Sequence, residues 1–61
     1  MKLKEAREAA GLTIAEAARR LSLTSAAICQ WESGKTFPDA KRLREIAQVY
    51  GVTVDELLKE E

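Results

Sequence analysis

The chain has 61 residues, and its ten basic and ten acidic side chains leave no formal net charge. This length predicts a single domain over residues 1–61, which buries only about 60% of the surface that the unfolded chain exposes. A lone cysteine, Cys29, and the absence of histidine exclude an internal disulfide and a histidine-bound metal, so helix packing has to stabilise the fold. Because the sequence also lacks a signal peptide and a long apolar run, we expect a cytoplasmic protein with no membrane span.

Apolar residues recur along the chain at the spacing of one face of a helix. Four segments follow the pattern i, i+3, i+4, i+7, and a shorter fifth segment carries Val54, Leu57 and Leu58. No run of alternating β-branched residues is long enough to predict a strand. The predicted helices span, in chain order, residues 2–10, 14–21, 25–33, 40–50 and 54–59.

Residues that cap helices lie at the ends of these segments. Glycines suited to a left-handed C-cap follow three of them, at Gly11, Gly34 and Gly51. Side chains suited to an N-cap precede four of them, at Thr13, Thr24, Asp39 and Thr53. Two of these have the spacing of a capping box, Thr13 with Glu16 and Thr53 with Glu56. The sequence therefore predicts an all-α fold, a compact bundle of five short helices.

Only three residues, Ser22, Leu23 and Thr24, separate the second predicted helix from the third. Two short helices joined by such a turn are typical of a helix-turn-helix motif, which here covers about residues 13–34. In this motif the second helix is presented to the major groove of double-stranded DNA. The sequence therefore favours a DNA-binding role for residues 25–33.

A family pattern runs in order through nearly the whole chain. Its residues are Leu3, Arg7, Gly11, Leu12, Thr13, Ala18, Leu21, Ile28, Trp31, Glu32, Gly34, Pro38, Leu43, Ala47, Gly51, Val52, Thr53 and Leu57. In order and spacing these resemble the lambda-repressor-like, Xre-family helix-turn-helix domain. The resemblance implies sequence-specific binding of double-stranded DNA, as a homodimer that regulates transcription.

The resemblance also implies an ion pair between Arg7 and Glu32, because members of this family commonly pair these positions. Arg7 lies on the apolar stripe of the first helix, and Glu32 follows Trp31 on the inner side of the third. A buried charge is costly when it is alone and tolerable when it is paired. The alternative is two independent, solvated charges.

The resemblance assigns the contacts with DNA to the third helix and its surroundings. Base contacts are assigned to Ser25, Ala26, Cys29 and Gln30, and phosphate contacts to Thr13, Thr24, Ala27, Ser33, Lys35 and Thr36. The base-facing side has no arginine to bind guanine, whereas glutamine can bind adenine and alanine can touch a thymine methyl group. We therefore expect a half-site rich in A·T pairs, read partly through DNA shape.

The chain departs from the family pattern at the start of the second helix, where Ile14 stands in place of a glutamine that holds a phosphate. This departure supports a second interpretation, a protein-interaction module that keeps the fold and binds DNA weakly or not at all. Ile14, Ala26 and Ala27 would then form an apolar patch for another protein.

Members of the family dimerise through their C-terminal helices. Here Val49, Tyr50, Val54 and Leu58 can supply that surface, although the same residues can belong to the core. We expect Tyr50 and Leu57 in the core and leave Val49, Val54 and Leu58 open between the two positions.

Nothing in the sequence is typical of a catalytic site. The chain has no histidine, no glycine-rich phosphate loop and no metal-ligand spacing, and Cys29 has no evident base to activate it. We therefore expect no enzyme activity, no cofactor, no metal and no small-molecule ligand.

Overall fold

The computed structural model describes residues 1–59 and contains, over those residues, five α-helices and no strand. The helices are α1 (Leu3–Ala9), α2 (Ile14–Leu21), α3 (Ser25–Ser33), α4 (Ala40–Tyr50) and α5 (Val54–Leu58). The all-α prediction is confirmed, and α2, α3 and α4 have the predicted bounds. The prediction was one residue too long at each end of α1 and at the end of α5, where Lys59 has an extended backbone.

Side-chain caps define where four of the helices begin. Thr13 Oγ1 accepts a hydrogen bond from the Glu16 amide at 3.1 Å, and Glu16 Oε1 accepts one from the Thr13 amide at 2.9 Å. The same reciprocal pair of bonds joins Thr53 and Glu56. Both predicted capping boxes are therefore confirmed, and Thr24 and Asp39 cap α3 and α4 with one bond each. Lys2 makes no side-chain cap, and its backbone is not helical (φ −102°, ψ 49°), so α1 begins at Leu3.

The turn between α2 and α3 contains a strained residue. Ser22 has a left-handed backbone, with φ 57° and ψ 43°, and is the only residue other than glycine with positive φ in residues 1–59. This conformation costs a residue with a Cβ atom about 1–2 kcal/mol. It allows the Leu23 amide to reach the Ala18 carbonyl at 2.8 Å, which ends α2 and redirects the chain into α3.

One core holds the helices together, and every helix contributes to it. Its buried apolar residues are Leu3, Ala17, Ala18, Leu21, Ile28, Ile46, Ala47, Tyr50 and Leu57. Small alanines on α2 let α3 pack closely against it, and α2 also packs against α4. Both residues expected in the core from the C-terminal part of the chain, Tyr50 and Leu57, are there.

The two capping boxes make stability depend on pH. The hydrogen bonds from Thr13 lower the pKa of Glu16, and those from Thr53 lower the pKa of Glu56, below the ordinary value of 4.5. A folded-state pKa below the unfolded one stabilises the protein above the unfolded pKa, and this contribution disappears as the pH falls through the folded pKa.

Replacing both glutamates by glutamine keeps an acceptor for each box and removes the titration. We therefore expect the Glu16→Gln/Glu56→Gln variant to lose less unfolding free energy than the wild type between about pH 7 and about pH 3, measured by urea unfolding. Glu8→Gln, an exposed glutamate outside the boxes, serves as the control. Equal losses in the double variant and the wild type would contradict the prediction.

Candidate nucleic-acid interface

The outer face of α3 presents small and uncharged side chains to solvent. Ser25, Ala26, Cys29 and Gln30 are all exposed. Residues four apart lie in one row of a helix, so Ser25 is aligned with Cys29, and Ala26 with Gln30. The structure thus brings the four residues expected to contact bases together on one open surface.

The inner face of α3 is attached to the rest of the bundle. Ile28 is among the most buried side chains of the described residues, and Trp31 packs against the core while remaining half-buried. Burying a side chain of the size of isoleucine stabilises the folded state by about 1.5–3 kcal/mol. The inner face therefore attaches α3 to α1 and α2.

A buried ion pair connects α1 to the end of α3. Arg7 Nε donates to Glu32 Oε2 at 2.7 Å, and Arg7 Nη2 donates to Glu32 Oε1 at 3.3 Å. A third bond runs from Arg7 Nη1 to the Leu12 carbonyl at 2.8 Å. The side chains of Arg7 and Glu32 are only 8% and 9% exposed, so the pair is bidentate and shielded from water.

The surroundings of this pair favour the charged form of Arg7. The hydrogen bonding of Arg7 to the Glu32 carboxylate, which accepts, raises the pKa of Arg7 further above its usual value, against the opposing effect of burial. Burial also raises the pKa of the neighbouring Tyr50 phenol, and the Glu32 carboxylate adds to that rise while Arg7 opposes it. At neutral pH the Arg7 guanidinium is therefore positively charged, and the neighbouring Tyr50 phenol is neutral.

The starts of α2 and α3 both expose backbone amides. In each helix the capping threonine accepts from the third amide, which is Glu16 in α2 and Ala27 in α3. Helix geometry leaves the first two amides of each helix without an intrahelical acceptor. Because the Ala27 amide already donates to Thr24 at 3.2 Å, the amides open to an anion on α3 are those of Ser25 and Ala26.

The segment after α3 folds back onto the last turn of that helix. The amides of Lys35 and Thr36 donate to the Gln30 carbonyl at 3.0 and 3.4 Å. The Ser33 hydroxyl donates to the same carbonyl at 3.1 Å, so its proton is engaged within the helix. The side chains of Lys35 and Thr36 are exposed and follow directly from the outer face of α3.

A family model described as helix-turn-helix matches residues 3–57. The chain belongs to the lambda-repressor-like, Xre-type helix-turn-helix family. The resemblance found in the sequence is thereby confirmed. This family is one of DNA-binding transcription regulators.

A relative of the chain is also named as a transcription regulator. The helix-turn-helix chain is 40% identical over 60 residues to a protein of Enterococcus faecalis named HTH-type transcriptional activator BcrR. The alignment covers 98% of this chain and 29% of the relative, so the chain spans less than a third of that protein's length. No solved structure significantly matches the chain.

Membrane spans and metal clusters do not occur in the part of the helix-turn-helix chain that the structure describes. None of the helices in residues 1–59 is long and apolar enough to cross a bilayer. In the same residues no group of three or more His, Cys, Asp or Glu side chains is placed to hold a metal ion. Cys29 is a free, exposed thiol.

Ile14, the departure from the family pattern, does not lie fully on the surface of the helix-turn-helix domain. Its side chain is half-buried and packs against the core, and Ala27 is half-buried too. Of the three residues expected to form an apolar patch for a protein partner, only Ala26 is exposed. These residues therefore present little apolar surface to a protein partner.

Phe37 is a surface feature of this helix-turn-helix domain that the sequence patterns do not predict. It is 69% exposed, more than any other large apolar side chain in residues 1–59. The helical periodicity did not reveal it because it lies between α3 and α4. A large aromatic residue directly before Pro38 and after the polar run of Lys35 and Thr36 was the available signal.

Mutation of the Arg7–Glu32 pair tests how strongly this pair attaches α3 to α1. Arg7→Ala leaves the Glu32 carboxylate buried without its partner, and we expect a loss of about 3–5 kcal/mol in unfolding free energy. Thermal unfolding followed by circular dichroism measures this loss.

Because such a loss can unfold a domain of this size, a compensating variant is needed. Arg7→Met/Glu32→Met removes both charges and should recover most of the stability. A wild-type melting temperature in Arg7→Ala would contradict a structural role for the pair.

Proposed function

We propose that this helix-turn-helix domain is a sequence-specific DNA-binding module of a transcriptional regulator, with α3 in the major groove. The observation that carries the proposal is the division of α3 into two faces. Ile28 and the Glu32–Arg7 pair anchor its inner face, while its outer face lies open to solvent. An exposed helix held rigidly on a small bundle has the geometry needed to enter the groove. The proposed role is non-enzymatic.

The chemistry of the outer face favours A·T pairs in the half-site. The Gln30 amide can form two hydrogen bonds with adenine, and Ala26 can contact a thymine methyl group. Ser25 can donate or accept at several base edges. Since this face carries no arginine or lysine, the discrimination among bases is modest and depends partly on the shape of the groove.

Phosphate groups are held chiefly by the starts of the helices. The first two amides of α2 and α3 and the positive ends of the helix dipoles favour an anion. Thr13 and Thr24 accept their capping bonds with oxygen, so each hydroxyl proton remains available to a phosphate. Lys35 adds a positive charge where the chain leaves the groove. Such phosphate contacts set the register of α3 and carry no base information.

We also propose that the domain binds DNA as a homodimer through α4 and α5. Leu58 is 48% exposed, and Val49 and Val54 are half-buried, so these residues offer apolar area that the core leaves uncovered. Two linked copies would compensate for the modest affinity of each for its half-site. We propose a cytoplasmic location, where the domain can reach DNA.

The DNA contacts are tested by selecting bound sequences from random duplexes and measuring affinities at several salt concentrations. We expect an A·T-rich half-site for the wild type. In Gln30→Ala we expect a loss of about 1–3 kcal/mol of discrimination at one position. Lys35→Ala should weaken binding to all sequences and reduce the salt slope by about one.

Lys59→Ala, a lysine at the end of α5, is the matched control and should leave the salt slope unchanged. A guanine-rich selected site would contradict the base assignment. The absence of any retention on mixed-sequence DNA at low salt, together with capture of a protein partner, would favour the interaction-module interpretation over DNA binding.

The dimer is tested by sedimentation velocity. Leu58→Asp places a charge in the proposed interface, where desolvation makes it unfavourable, and should shift the protein to a monomer. Ala9→Asp, which adds the same charge on the exposed face of α1, should leave association unchanged. A wild-type protein that is monomeric at all concentrations, with and without DNA, would contradict dimerisation through this surface.

A further inference from the structure

Phe37 has no role in the fold that accounts for its size. Its ring is 69% exposed, and it is not among the partly buried apolar residues that pack against the core. Leu58, the other large exposed apolar residue of residues 1–59, has a place in the proposed dimer surface. Aromatic side chains are enriched in protein–protein interfaces, where a partner buries them, so an exposed ring beside a proposed binding surface is a candidate contact.

The backbone on both sides of Phe37 is held in place. Before it, the amides of Lys35 and Thr36 are bonded to the Gln30 carbonyl at the end of α3. After it, Pro38 disfavours helical backbone at Phe37, and Asp39 caps α4 through the Arg42 amide at 2.8 Å. The ring therefore projects from a fixed point, and little backbone entropy remains to be lost on binding.

Phe37 lies next to residues of the proposed DNA surface in the sequence. Phe37 lies two residues after Lys35 and one after Thr36, and two peptide units reach about 7 Å at most. The Cα atoms of Lys35 and Phe37 are thus close enough for the two side chains to contact neighbouring parts of one DNA strand. Deoxyribose presents C–H groups, which an aromatic ring can cover.

We propose that Phe37 packs against the deoxyribose of the DNA strand whose phosphates Lys35 contacts. The inference rests on the proposed DNA binding and adds to it a non-ionic contact that is independent of base sequence. Such a contact suits a chain with no net charge and no basic side chain on its groove-facing side. It contributes affinity by removing apolar area from water, so salt does not weaken it as it weakens phosphate contacts.

The test uses the full chain and a mixed-sequence duplex of about 10 base pairs, which has no room for two half-sites one helical turn apart. Fluorescence anisotropy of the labelled duplex gives the affinity at several salt concentrations. Phe37→Ala should bind about tenfold more weakly with an unchanged salt slope, since partial burial of the ring is lost. Phe37→Tyr, which keeps the ring, should stay within about twofold of the wild type.

The contrast with Lys35→Ala identifies the kind of contact, because that variant should lower the salt slope. Since Phe37 is exposed, circular dichroism should show the same melting temperature for Phe37→Ala and the wild type. Equal affinities of the wild type and Phe37→Ala would overturn the inference while leaving the proposed function in place. A loss seen only with duplexes long enough for two copies would also overturn it, because Phe37 would then contact a second copy. If the wild type does not bind DNA, the proposed function fails, and this inference fails with it.

Discussion

The buried pair of Arg7 and Glu32 is the constraint on which the rest of this domain depends. The two residues are 25 positions apart, and their bidentate contact joins α1 to the end of α3. A third bond from Arg7 to the Leu12 carbonyl adds the α1–α2 connection to the same site. Because a buried charge without its partner is strongly unfavourable, only arrangements that bring these three elements together are stable. The pair therefore holds the end of α3 against α1 and so helps to set the orientation of α3 on the bundle.

In the proposed complex, the chain attracts DNA mainly through its backbone. Its net charge is zero, and the exposed side of α3 is uncharged. The partial positive charges at the starts of α2 and α3 do not depend on side-chain composition, since they arise from the alignment of peptide dipoles. The capping threonines accept a backbone hydrogen bond through the side-chain oxygen, and each keeps its hydroxyl proton for another acceptor. A neutral domain can thus carry an anion-binding surface.

Ser22 in the turn and Ile14, which departs from the family pattern, have distinct physical consequences. Ser22 adopts the left-handed backbone that glycine adopts more easily, and the turn keeps its shape at a cost in stability. Ile14 cannot make the polar contact that a glutamine makes at the start of α2, and it packs against the core instead. Ser22 therefore affects stability, whereas Ile14 leaves the proposed phosphate contacts to backbone amides, threonine hydroxyls and Lys35.

The sequence by itself determined the five helices, their caps and the face that α3 exposes. These features depend on interactions within about four residues, so apolar periodicity and capping residues such as Thr13 and Asp39 carry enough information. Only the tertiary structure decided that Ile14 turns inward and that Phe37 remains in water. Those outcomes depend on which atoms meet when the helices pack, and no local pattern encodes that geometry.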